Sequence, residues 1–138
     1  MSTERQQFNQ KIIEEFRANG GNVGGPFKGA PMVLLTVKGA KSGKTYTIPL
    51  VYSRDGARYV IIASMAGAPN NPDWFHNVKA NPNVTLEIGK EKFQAKATIT
   101  SGAERERLFN AQAAILPVFN DYKAKTKRQI PVIALERM

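Results

Sequence analysis

The apolar positions of this chain change their period along its length, and those changes divide it into elements. Near the N-terminus Phe8, Ile12 and Phe16 recur every four residues and Ile13 widens the stripe, which predicts an amphipathic helix over residues 3–19. Gly20-Gly21 ends it, and Gly24-Gly25-Pro26 marks a loop. A stripe of this kind usually buries itself against a core, though it could also cover a cofactor or touch a membrane. From Met32 the period shortens. Met32–Val37 is a short apolar run, interrupted only by Thr36, the pattern of a strand covered on both faces. Thr45–Ser53 reads as a second strand, in which Pro49 signals an edge or a bulge. Asp55-Gly56 is a hairpin turn, and Arg58–Ser64 is a third, nearly all apolar strand. The loop Ala66–Pro72 then leads into a short helix, Asp73 to Ala80, with Trp74, Phe75 and Val78 on its inner side. Asn81-Pro82 stops that helix.

The second half alternates. Val84, Leu86 and Ile88, then Phe93, Ala95, Ala97 and Ile99 after a Gly89-Lys90 turn, predict a hairpin with one wet face. Ser101 is placed to cap a helix running to about Ile115, with Glu104 at the capping-box position. Pro117 interrupts, residues 118–128 carry Phe119, Tyr122 and the basic cluster Lys123, Lys125, Lys127 and Arg128, and Pro131–Leu135 is a closing strand. The expected fold class is mainly β with helices (α+β). About six mostly antiparallel strands follow an N-terminal helix, and the sheet closes into a small barrel that removes its edges. One domain is expected over 1–138, with helix and loop over 1–25 and the barrel over 30–136.

Composition narrows the chemistry. The net charge of +9 argues for an anionic partner: a phosphorylated cofactor, nucleic acid or an anionic membrane surface. The absence of cysteine excludes a disulfide framework and a thiolate metal site, and no acidic cluster suggests a metal. One histidine, His76, cannot build a zinc site or supply a triad without a nucleophile motif. Asp55, Glu87, Glu91, Glu104 and Glu106 fall on a turn or on faces expected to be solvated, so paired-carboxylate catalysis is not indicated. No run is long enough to span a membrane and no apolar leader is visible; a cytoplasmic location, with peripheral membrane contact open, is the expectation.

Two segments carry a ligand signal. Lys38-Gly39-Ala40-Lys41-Ser42-Gly43-Lys44 places three lysines, two glycines and a hydroxyl in one turn, the chemistry of an anion seat, although a solvated hairpin turn has the same composition. The loop after Ser64 ends at a helix N-terminus, which offers free N–H groups to an anion, with Asp73 as a competing cap. A basic seat without catalytic machinery of its own points to chemistry done by a bound cofactor.

The runs LLTVKGAKSGKTYTIPLVYSRDG and IIASMAGAPNNPDWFHNVKANPNV, with the late TKRQIPVIALE, resemble the deazaflavin-dependent nitroreductase family, split β-barrel reductases of actinobacteria that use coenzyme F420. The resemblance covers roughly residues 30–136, and its joint pattern is G-x-K-S-G, A-S-x-x-G-A-P-x-x-P-x-W and R-x-I-P-V. It implies an FMN-binding-like split barrel and an F420H2-dependent hydride transfer to a quinone, an enone or a nitroaromatic. FMN is the competing cofactor, and a flavin carrier or a basic nucleic-acid-binding module are the competing functions.

Carried onto this chain, the resemblance implies that Lys41, Ser42, Gly43 and Lys44 hold the phosphate and glutamyl tail, with Thr45 and Asp73 in the same cofactor-binding set. Pro49, Leu50 and Val51 would lie along the ring, and Ile62, Ala63 and Ser64 would face it. Met65, Gly67, Trp74, Phe75 and Asn77 would line the rest of the cleft. Phe119 and Tyr122 would shape the substrate pocket, and Ser64 and Tyr122 are the catalytic candidates. The chain departs from the family pattern at Ala40 and Tyr46, where basic residues are common, at Met65, where a Lys can occur, and at Leu116 and Phe119, where tyrosines are expected. A small-molecule electron acceptor, no metal and a homodimer complete the expectation.

Overall fold

The computed structural model describes residues 4–24 and 29–138, so the loop expected at Gly24-Gly25-Pro26 lies, beyond Gly24, outside the described residues. The order is α1 (Glu4–Ala18), β1 (Met32–Lys38), β2 (Thr45–Asp55), β3 (Arg58–Ile62), a 3-10 turn (Met65–Gly67), α2 (Asp73–Ala80), β4 (Asn83–Ile88), β5 (Glu91–Ile99), α3 (Gly102–Ile115), α4 (Val118–Lys125) and β6 (Val132–Arg137). The strands close into a barrel in the order β1-β2-β3-β6-β5-β4, and every pairing is antiparallel.

The period-2 pattern sorts side chains between the barrel interior and two outer clusters. Val33, Leu35 and Val37 of β1, Ile61, Leu86, Phe93, Ala95, Ile133 and Leu135 point into the barrel. Their neighbours Met32 and Leu34 point outward and are covered by Ile12, Ile13 and Phe16 of α1. Val60, Ile62 and Val132 are covered by Leu108, Phe109 and Ala113 of α3 and Phe119 of α4. This is why β1 and β3 read as nearly all-apolar runs: helices cover the face that water covers in the β4–β5 hairpin. Ile12, Ile13 and Phe16 are thus spent on the barrel, whereas Phe8, expected in the same stripe, is 50% exposed toward the N-terminal end of the helix. Arg17 fastens the end of that helix through two hydrogen bonds, 3.1 and 2.9 Å, to the Glu87 carboxylate on β4.

Three local expectations differ. Ile99 was expected to point inward but is 40% exposed. The chain has turned by Thr100, whose hydroxyl donates to the Val132 carbonyl at 2.8 Å, and Ile99 is left at the rim. Ser101 is the N-cap of α3 but makes no side-chain cap, and Glu104 accepts from Arg58 at 3.2 Å instead of closing a capping box. Pro72, not Asp73, is the N-cap of α2; Asp73 lies in the first turn.

The barrel is closed but uneven. Residues 45–51 of β2 pair with β1 alone, while β2 pairs with β3 only over Tyr52–Asp55. One edge of the N-terminal half of β2 is therefore left open, and it borders the candidate site.

Candidate cofactor cleft

The open edge explains Pro49. Along the β1–β2 ladder the Tyr52 amide donates to the Pro31 carbonyl at 3.0 Å and the Gly39 amide to the Lys44 carbonyl at 2.7 Å. Hydrogen-bonded pairs alternate between those ends, so the Leu34–Pro49 pair is a non-bonded one. The proline nitrogen then faces away from β1, where no partner strand needs an N–H. The register is continuous, so Pro49 marks an edge without a bulge. By the same alternation the peptide groups of Thr47 and Val51 face the open side.

That side is the floor of a cleft of about 1070 Å³. β2 contributes Tyr46 to Val51, the end of β3 contributes Ile62, and Ser64 and Met65 follow it. The turn after β1 adds Ala40, Lys41 and Ser42, and α2 adds Asp73, Trp74, His76 and Asn77. Phe119 and Tyr122 of α4 form the far side, and Phe8, Asn9, Gln10 and Ile13 of α1 form a wall.

The basic turn is built tightly. A Cβ on Gly39 would lie 2.6 Å from Ser42 Oγ and 2.9 Å from Tyr46 Cε2, so any side chain there would force one of them to move. Ser42 Oγ accepts from the Lys44 amide at 3.2 Å and shares a hydrogen bond with Tyr46 Oη at 3.1 Å. The Ala40 amide donates to Asn77 Oδ1 at 3.0 Å, which ties the turn to α2. The amides of Lys41 and Ser42 carry no hydrogen bond among the described residues, and both side chains are exposed.

Deeper in, Ser64 is only 6% exposed, and its hydroxyl has no hydrogen-bond partner among the described residues. Met65 has φ 46, a left-handed conformation that a residue with a side chain adopts at a cost. The Tyr122 ring packs edge-on against Phe119, centroids 5.6 Å apart, and its phenol makes no hydrogen bond among the described residues.

The structure brings most of the expected residues together. Lys41, Ser42, Pro49, Leu50, Val51, Ile62, Ser64, Met65, Asp73, Trp74, Asn77, Phe119 and Tyr122 line one cleft. Six others lie apart from its lining. Gly43, Lys44 and Thr45 are in or beside the turn. Ala63 and Phe75 point into the barrel core. Gly67 (φ 82) is pressed against α4, where a Cβ would lie 3.0 Å from the Tyr122 carbonyl oxygen. Asn77 has a second role, since its amide oxygen is committed to the basic turn. Trp74 lines the cleft while packing into the core.

Sequence reasoning leaves open that α1 covers a cofactor but favours the core role; it assigns Phe8 to the buried stripe and does not single out Asn9 or Gln10, which with Phe8 belong to the α1 wall. It also missed Thr47 and Ile48, which belong to the same free edge that Pro49 signals. Asp55 stays structural. Hydrogen bonds from Arg107 and then Arg58 hold its carboxyl well below the usual carboxylate range, and it does not line the cleft.

A group with a phosphate, an acidic tail and a flat ring fits these walls. Lysines and two free amides stand at one end, a strand edge runs alongside, and Ser64, a largely buried residue, lines the cleft with its hydroxyl uncommitted among the described residues. No group of His, Asp and Glu able to hold a metal occurs among the described residues, and no helix there is long and apolar enough to cross a membrane.

Comparison with known proteins gives the same answer from another direction. Residues 9–137 match the family described as F420H(2)-dependent quinone reductase. An F420H(2)-dependent quinone reductase of Mycobacterium tuberculosis (strain ATCC 25618 / H37Rv) is 37% identical over 131 residues, 88% of this chain and 85% of that protein. A solved F420-H2 dependent reductase, FDR-A, superposes with TM-score 0.71 at 38% identity, covering 77% of this chain and 94% of that one. A domain-swapped dimer superposes with TM-score 0.73 at 34% identity, covering 94% and 95%. With its six-stranded antiparallel barrel and N-terminal helix, this chain belongs to the F420H(2)-dependent quinone reductase family.

Proposed function

We propose that this chain is an F420H2-dependent oxidoreductase whose acceptor is a quinone. The observation that carries the reading is one cleft joining the basic turn, the free edge of β2 and Ser64. Family membership and the names of the relatives support F420 over FMN, and they favour the quinone among the acceptors considered.

When bound, the reduced deazaflavin supplies a hydride to the acceptor. The residues of this chain bind, orient and exclude water. Lys41, its free amide and that of Ser42 hold the phosphate end, with Lys38 and Lys44 adding charge nearby. Pro49, Leu50 and Val51 present a flat apolar edge with peptide groups beside it, which suits a ring that is apolar on its faces and polar on its rim. Ile62 and Met65 close the floor, and Phe119 packs against Tyr122 over the opening.

A quinone that takes up a hydride gains negative charge on an oxygen, and a donor aimed there lowers the barrier. The Ser64 hydroxyl is positioned to stabilise that oxygen, and the Tyr122 phenol on the opposite wall is placed to supply the proton that completes the hydroquinone. α1 closes the remaining side and keeps water from the reacting atoms. A homodimer is part of the reading, supported by the domain-swapped relative; light scattering of the purified protein tests it.

The deciding experiment is a fluorescence titration with oxidised F420 and, in parallel, FMN, repeated with Lys41→Ala, followed by a quinone screen with F420H2. F420 binding that weakens in the variant, with turnover of a quinone, is expected. Binding of FMN alone would move the protein to the flavin branch. Binding of neither, with a steeply salt-dependent DNA shift, would replace the reading with a nucleic-acid module.

A further inference from the structure

The late R-x-I-P-V motif has no place in the cleft lining, yet the structure connects it to the cleft. Arg128 spreads three donors over one loop: Nε donates to the Ala68 carbonyl at 3.0 Å, Nη2 to the Ser64 carbonyl at 2.8 Å and Nη1 to Asn71 Oδ1 at 2.8 Å. No carboxylate pairs with it among the described residues, so its guanidinium is committed to the loop. Burial alone pushes its pKa down.

The loop it holds is the one that contains the left-handed Met65 and the buried Ser64. Within that loop the Gly67 amide donates to the Ser64 carbonyl at 2.9 Å and the Ala68 amide to the Met65 carbonyl at 3.1 Å. Two hydrogen bonds of a single 3-10 turn do not by themselves keep a side-chain-bearing residue in the left-handed region; such a conformation persists where its surroundings over-determine it.

We propose that Arg128 is a positioning residue that clamps the 64–71 loop, so that Met65 is held left-handed and Ser64 faces the cleft, poising the site for cofactor and acceptor. The clamp needs the rigid fork of a guanidinium. A lysine ammonium is a single point of charge and cannot reach two carbonyls and an amide oxygen in three directions. The two motifs are thereby one device: the floor of the site is the loop after β3, and its latch is the segment that precedes β6.

This inference rests on the F420 reading for its functional consequence but not for its structural one, and the test separates them. Hydrogen exchange is measured on the cofactor-free protein for wild type and Arg128→Lys, and F420 affinity for wild type, R128K, M65G and the double variant. Exchange at the Gly67 and Ala68 amides is expected to rise about tenfold or more in R128K, with β1 and β5 unchanged. F420 affinity is expected to fall about tenfold. Glycine adopts a left-handed φ freely, so in the M65G background the loss from R128K should shrink to about threefold or less.

Unchanged exchange at 67 and 68 overturns the clamp. So does faster exchange throughout the barrel, or an equal loss in both backgrounds. Should R128K fail to fold, Asn71→Ala removes only the side-chain acceptor, and the same local rise in exchange is then required. If wild type binds no F420, the functional reading fails while the exchange result still decides the clamp.

Discussion

Gly39→Ala tests the anion seat with one methyl group. The added Cβ would lie 2.6 Å from Ser42 Oγ and 2.9 Å from Tyr46 Cε2, both closer than real side chains tolerate. Ser42 must rotate away or the turn must open. Either movement breaks the 3.1 Å bond to Tyr46 Oη and the 3.2 Å bond from the Lys44 amide, and it carries the Ser42 hydroxyl out of the seat. A hydrogen bond to a charged group contributes about 1.5–3 kcal/mol. At about 1.4 kcal/mol per decade of affinity, losing one weakens F420 binding roughly ten- to a hundredfold.

The barrel core should be untouched, because no apolar cluster includes Gly39, Lys41, Ser42 or Lys44, so any loss of stability is confined to the turn. The assay is therefore paired: fluorescence titration for Kd and a thermal melt on the same sample. Ser42→Ala is the companion variant, since it removes the hydroxyl without crowding the turn, and it should weaken binding in the same direction. A G39A protein with wild-type Tm and a Kd within about twofold of wild type would show that the turn is only a hairpin turn.

Three other perturbations probe different parts of the molecule. Phe16→Ala empties the contact between α1 and the outer face of β1, where Phe16 is 1% exposed, and should cost about 3–5 kcal/mol in denaturant unfolding; a loss under about 1 kcal/mol would mean α1 is not docked as described. Ser64→Ala should lower kcat for the quinone about tenfold or more while leaving F420 affinity near wild type, and an unchanged kcat would remove Ser64 from the chemistry. Asp55→Asn addresses pH. The carboxyl of Asp55 is depressed by Arg107 and then Arg58, so its stabilisation is present above the ordinary value near 3.8 and is lost as pH falls below it. D55N should therefore melt lower than wild type at pH 7, and the two Tm values should converge as the solution is acidified through that range; parallel curves would show that the ion cluster is idle.

Most of the fold was legible in the sequence because each element declares its environment by period. The alternation of Val84, Leu86, Phe93, Ala95 and Ala97 shows one wet face, and the nearly all-apolar runs of β1 and β3 show two dry ones. Where reading failed, a non-local contact decided. Glu104 has the spacing of a capping box, but Arg58 arrives from another strand and takes it. Ile99 has the right parity, but the Thr100 hydroxyl finds the Val132 carbonyl and turns the chain first.

The site was legible in part for the same reason. The basic turn and the Ala66–Pro72 loop are local patterns, and both reach the cleft region. The R-x-I-P-V pattern sets Arg128 apart from Lys123, Lys125 and Lys127, but its role was hidden because its partners, Ser64, Ala68 and Asn71, lie 57 to 64 residues away and are reached only through the fold.

The position of the cleft follows from a mismatch in strand length. β2 has 11 residues and β3 has 5, so one strand must run on without its partner. An unpaired edge in a small barrel is a liability unless something covers it. Here the chain covers it twice, with α1 on one side and with the 64–72 loop and α4 on the other, and the space left between those covers is the cleft. Pro49 belongs to the same solution: its missing N–H falls on the uncovered side, so the open edge cannot recruit a complete foreign strand at that position. A continuous β2–β3 ladder would remove the liability and the cleft together. The unpaired stretch of β2 is thus what makes room for the cleft, and substitutions that lengthen β3 pairing past Ile62 would be expected to stabilise the barrel while closing the cleft.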